Sequence, residues 1–155
     1  MKRLVLAAAL LLVTLASWAQ TAGQGIYKKF ANEKNVSGVY ISPAMFSIVK
    51  RLPDMDDEDI KAIKSLSGFY VMEITNNAVA AKVKNEVNSL VSKNGYELYM
   101  ETVDEDEKMQ IFCYREAGLI KSIILLDVEP DETDFICIEG EMSEAMLQAI
   151  MDDKD

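Results

Sequence analysis

Residues 96–140 read YELYMETVDEDEKMQIFCYREAGLIKSIILLDVEPDETDFICIEG, and their period decides the fold. Apolar and polar residues alternate in four runs, 96–103, 108–116, 119–128 and 134–140, with short polar or Gly-containing breaks between them. Period two over runs of this length is the mark of strands, and short breaks join antiparallel neighbours. The segment just upstream, NNAVAAKVKNEVNSLVSKNG (76–95), has a different period. Val79, Val83, Val87, Leu90 and Val91 form one stripe at helical spacing. Asn76 or Asn77 caps its start, and Asn94-Gly95 supplies a left-handed stop. A helix followed by a four-strand meander is therefore predicted.

Working outward, VSGVYI (36–41) and FYVMEIT (69–75) read as two further strands. In ISPAMFSIVKRLP (41–53), Ser42 is a good N-cap and Pro43 fits the first helical position, where its missing N–H costs nothing. DMDDEDIKAIKSLSG (54–68) places acids in its first turn and lysines later, as a helix dipole prefers, and ends at Gly68. Residues 20–25 read as a loose tail before a short helix carrying Ile26, Tyr27 and Phe30 and ending near Lys34. SEAMLQAIM (143–151) reads as a closing helix with Ser143 as N-cap. The expected class is α+β: a largely antiparallel sheet of about five to six strands packed with helices, ending in the meander and closing helix.

The N-terminal MKRLVLAAALLLVTLASWAQ has a charged start, an apolar run from Leu4 to Leu15 and Ser17-Trp18-Ala19 before Gln20. This is the pattern of a secretory signal peptide, expected at 1–19 and cleaved before Gln20, with 20–155 a single domain. The apolar run is short for a membrane span, so no transmembrane anchor is expected after processing. The destination is the periplasm or cell envelope, with secretion the alternative. The chain carries a net charge of −10, which becomes −12 once Lys2 and Arg3 leave with the leader. Such a surface repels phosphate backbones, so no nucleic-acid partner is expected.

Chemistry is scarce. The chain has no histidine, which removes histidine-based triads and His-ligated metals. No phosphate-cradling or nucleophile-elbow motif occurs. No catalytic, cofactor or metal residue is assigned, no cofactor is expected, and the only enzyme chemistry left open is a carboxylate-based hydrolase. Asp104 to Glu107 is read as a four-residue hairpin loop. Asp104 and Asp106 match the first ligands of a calcium loop, but Met109 stands where the glycine belongs. In that hairpin register Val103 faces Lys108, Tyr99 faces Phe112 and Leu98 faces Cys113. Tyr99, Phe112 and Tyr114 would then share a face with Glu97 and Glu101, a candidate binding face joined by Ile123 and Leu125. Cys113 would lie opposite Ser122 and Cys137 opposite Ile124. The two thiols would share one face with a strand between them, about 9.5 Å apart. A disulfide needs a shorter Cα separation, of about 7 Å or less. Export makes a disulfide the default for two cysteines, whereas the meander geometry favours two free buried thiols.

FANEKNVSGVYISPAMFSIV (30–49), LSGFYVMEI (66–74), the stretch from Ala80 to Gly118, and LLDVEPDETDFICIEGEMS (125–143) resemble the DUF4252 family, small exported proteins of Bacteroidetes without an assigned function. The VYISPAM joint and the FICIEGEM strand carry most of the resemblance, which spans nearly the whole chain after the leader. It implies an envelope location and transfers no site residue. The function read from these observations is a non-catalytic exported envelope module that binds a protein or small ligand. The alternatives are a regulatory or sensory accessory of envelope signalling and a structural homo-oligomer.

Overall fold

A computed structural model describes residues 21–49, 65–145 and 148. The expected signal peptide, most of the 54–68 helix and most of the closing helix lie outside these residues. Glu144 and Ala145 are helical where that last element was expected to begin.

The described elements are α1 (Ala22–Phe30), β1 (Val36–Ile41), α2 (Pro43–Val49), β2 (Leu66–Ile74), α3 (Asn77–Lys93), β3 (Tyr96–Asp104), β4 (Glu107–Glu116), β5 (Leu119–Val128) and β6 (Thr133–Met142). The strands form one antiparallel six-stranded sheet in the order β1-β2-β6-β5-β4-β3. The α+β class and the sequential meander are as expected. β6 closes the meander against β2, so β1 and β3 are left as the two edges.

Several element boundaries differ from expectation; the first helix ends at Phe30, not near Lys34, with Ala31 as its C-cap. Residues 20–25 were expected to be a loose tail, but the helix starts at Ala22 because the Thr21 side chain accepts the Gln24 N–H as an N-cap. Gly68 was expected to end a helix, but β2 already begins at Leu66, where pairing with Gly140 of β6 outweighs the helical pattern. The α3 prediction holds to within two residues. Asn76 caps Ala78 and Val79, and Gly95 takes a φ of 72° just beyond the end.

α1 and α3 cover one face of the sheet. Beneath them Val79, Val83, Val87 and Leu90 meet Met72, Ile74, Phe112, Ile124, Leu126 and Phe135 in the main core. A second, smaller cluster lies on the other face, around Ile111, Cys113, Ile120, Ile123 and Met142. Leu125 and Ile138 pack beside it and are half-buried.

The faces are not those the simple registers predict. The hairpin at 104–107 turns tightly, with Asp104 paired to Glu107 and only Glu105 and Asp106 between them. Val103 faces Lys108 as expected, but a bulge between Leu98 and Met100 then shifts the ladder, so Leu98 faces Phe112 and Glu97 faces Cys113. The Ala117-Gly118 turn sets Glu116 against Leu119 as expected. An extra residue in β5 between Ile120 and Ser122 then moves Cys113 from Ser122 to Ile123. A one-residue slip reverses a strand's faces. Phe112 therefore joins Ile124, not Ile123. Cys137 does face Ile124, so the two thiols lie on opposite faces with β5 between them. Both are buried and free.

Candidate functional site

Three of the sheet's four ladder irregularities converge, the exception being the one at Tyr99. Ser67 is skipped in the β2–β6 ladder, Lys121 in the β4–β5 and β5–β6 ladders, and Gly140 and Glu141 in the β5–β6 ladder. These four residues line one cleft of about 910 Å³, together with Thr21 and Ala22 at the start of α1, Asn94 at the end of α3, and Tyr96, Tyr114, Ser122 and Glu139. A bulge bends its strand and re-aims the extra side chain, which is how a regular sheet comes to have a polar hollow at one end.

Glu139 lies at the inner wall of this cleft, only 4% exposed. The alternation that turns Phe135 and Cys137 under the helices carries one step further to Glu139, so the fold places a carboxylate where a core residue would sit. Its partners come from α1. The Thr21 hydroxyl donates to Oε1, and the Gln24 N–H also serves the carboxylate. A carboxylate at a helix N-terminus meets unpaired N–H groups and the positive end of the dipole. Burial nonetheless dominates and raises its pKa, against the lowering effect of Gln24 and Cys137. The Cys137 thiol donates to Glu139 at 3.7 Å and lies 3.7 Å from the Ser122 hydroxyl. Burial first, and the Glu139 charge second, push that thiol well above its ordinary range. α1 sits so close that a Cβ on Gly23 would lie 2.2 Å from Cys137 Sγ.

Tyrosines extend the network. Tyr96 is buried, its hydroxyl bonded to Ser122, and burial raises its pKa. Its ring meets Tyr114 at 5.5 Å. Tyr70 accepts a hydrogen bond from Gln24 at 2.9 Å and stacks on Tyr40 at 4.8 Å. On the outer wall Lys121 pairs with Glu141 at 2.6 Å. The cleft thus offers hydroxyls, one neutralised ion pair, and Glu116 and Glu139 as excess acids.

Of the five residues expected to share a binding face, Phe112, Tyr114 and Glu101 do lie on one face of the sheet, and Glu97 does not. Phe112 is core beneath the helices, and Tyr114 is half-buried on that same face. Glu97 faces Cys113 on the other side of the sheet. Tyr99, in the bulge, lies under the Arg115 guanidinium at 5.4 Å. Glu101 stays on the Gln110 side, bonded to Gln110 at 2.7 Å and Lys108 at 3.0 Å. Of the five, only Tyr114 lines the cleft. Glu139 was missed, although an acid in phase with Phe135 and Cys137 is a readable sign of a buried charge.

Acids also gather at the far end of the sheet. Glu73 faces Asp134, and Asp134 faces Asp127, so three carboxylates lie side by side across β2, β6 and β5. Desolvation, then the neighbouring charges, raise the pKa of Asp134. Asp127 also approaches Glu107 and Glu129, with ligand atoms within 4.8 Å of one another. Oxygen donors of this kind suit a hard cation such as calcium. Asp104 and Asp106, the pair suggested by the calcium-loop pattern, are exposed hairpin residues outside this group.

An open antiparallel sheet with α1 and α3 packed across one face defines the class of protein. The family model described as "Domain of unknown function (DUF4252)" matches residues 27–150, and the chain belongs to that family. No curated protein and no solved structure matches it significantly. Among the described residues no helix is long and apolar enough to cross a membrane.

Proposed function

We propose that the chain is a non-catalytic exported envelope module that takes a small ligand, or a short segment of a partner protein, in the Glu139 cleft. The convergence of bulges from three strands on one hollow carries this reading, since bulges concentrate where a sheet builds a site. The cleft's size suits a small molecule. Export rests on the leader-like start, and N-terminal sequencing of native material should begin at or near Gln20; a retained Met1 in an envelope fraction would reject it.

Ligand binding is tested by protein-observed NMR titration with envelope extract and with a metabolite panel. Shifts confined to the surroundings of Tyr96, Tyr114 and Ser122 are expected. They should vanish in Ser67→Trp, which fills the cleft from an exposed position on its rim. Shifts that map elsewhere, or that survive the tryptophan, would refute the cleft as the site.

A further inference from the structure

The two edges of the sheet are unlike. β3 carries Glu97, Glu101 and Asp104 and is broken by the bulge at Tyr99. Charges and bulges are the devices by which natural proteins stop an edge from pairing with another chain. β1, Val-Ser-Gly-Val-Tyr-Ile, has no charge, no proline and an unbroken ladder to β2. Its four central residues are exposed, including Val39 at 54% and Tyr40 at 47%. Met45 and Ile48 of α2, directly after it in the chain, are exposed as well.

We propose that β1 is a dimerisation edge, where two copies of this chain pair β1 to β1 and join their sheets into one. The backbone sets the register. The Thr75 N–H to Asn35 C=O bond, at 3.1 Å, continues the β1–β2 ladder by one pair. Hydrogen-bonded and non-bonded pairs alternate in an antiparallel ladder, so residues 37, 39 and 41 turn their peptide groups to β2. Val36, Gly38 and Tyr40 turn theirs outward. The close stacking of Tyr40 on Tyr70 agrees, because side chains approach most closely at non-bonded pairs.

A twofold axis at Gly38 then sets Val36 against the partner's Tyr40, and Ser37 against the partner's Val39. Each outward pair exchanges two backbone hydrogen bonds, and the aromatic and β-branched side chains are favourable cross-strand neighbours. No charged residue of β1 is brought into opposition, although the chain as a whole carries −10. Pairing β3 to β3 would bring its acids together. Pairing β1 to β3 would leave a free edge at each end and grow without closing, whereas the β1 twofold closes at two copies.

The test is light scattering on purified protein, with amide exchange read by NMR at about 10 and about 200 µM, because self-association follows mass action. Expected is a dimer at the higher concentration, with the Val36, Gly38 and Tyr40 amides protected there and released on dilution. Val39→Lys should give a folded monomer, and Val103→Lys, on the other edge, should remain a dimer. If Val39→Lys fails to fold, Ser37→Lys at an equally exposed position makes the same test. A monomer at the higher concentration, a dimer with those three amides still exchanging fast, or a dimer that survives Val39→Lys would overturn the proposal.

Discussion

Ile123 and Ile124 are consecutive on β5, identical in side chain, and belong to different cores. Ile124 sits under α1 and α3 in a cluster that runs across the sheet from Tyr70 to Tyr96. Ile123 sits on the other face with Ile111, Cys113, Ile120 and Met142. The first face is closed by helices whose apolar stripes match it. On the second, Leu125, Ile136 and Ile138 are only half-buried. The difference teaches that both faces bury a cluster, but the burial extends across the sheet only where α1 and α3 lie over it.

The strongest test of that contrast is a charge under α3. Val83 is 0% exposed, and Val83→Asp should cost about 4 kcal/mol or more, because the carboxylate finds no partner there. A urea midpoint within experimental error of wild type would mean the helix does not cover this face. Gly23→Ala should come next. Its Cβ would meet Cys137 Sγ at 2.2 Å, so α1 must shift or the thiol must rotate. In Gly23→Ala/Cys137→Ala the penalty should be smaller than the sum of the single changes, and simple additivity would show that the contact is not the cause.

The two isoleucines give the direct comparison. Ile124→Ala should cost about 4 kcal/mol, at the upper part of the range for core truncations, and Ile123→Ala about 2. Equal losses in calorimetry would erase the distinction between the faces.

A smaller effect is expected from pH. Glu139 has a folded pKa above its unfolded value because burial disfavours the charge. The folded state then holds a proton that the unfolded state has released, so stability falls as pH rises through the interval between the two values. Asp134 and Glu132 are raised as well and act in the same direction. Glu101 and Glu141 are lowered by Lys108 and Lys121 and act in the opposite direction from the surface. Glu139→Gln keeps an acceptor for Thr21 and removes the charge. It should flatten the decline in urea midpoint from about pH 4 to pH 7, relative to wild type. An unchanged slope would assign the decline to the far-end acids. Least of all, Lys121→Ala should change stability by less than about 1 kcal/mol, since its partner Glu141 is largely exposed.

Much of the architecture was legible because it is local. The period switch at Gly95 marks α3 and the meander, Asn76 caps α3, and Ala117-Gly118 takes the left-handed conformations of a two-residue turn. What the sequence could not supply was the phase of one strand against the next. Bulges at Tyr99 and Lys121 leave no clear mark in the alternation, because both residues sit as comfortably in a regular strand as in a bulge. Each one nevertheless reverses the faces beyond it. That is why Phe112 and Glu97, expected side by side, ended on opposite sides of the sheet, and why the two cysteines did too.

The sequence by itself determined the six strands, the order of the meander, the acidic surface and the valine stripe of α3, since each depends on neighbours within a few residues. Only the tertiary structure decided that β6 pairs with β2, that Glu139 is held beneath the first turn of α1, and that four bulge residues open onto one cleft. These depend on contacts between segments far apart in the chain, from Ile74 with Thr133 to Thr21 with Glu139. There the geometry of packing, not the local pattern, selects the arrangement.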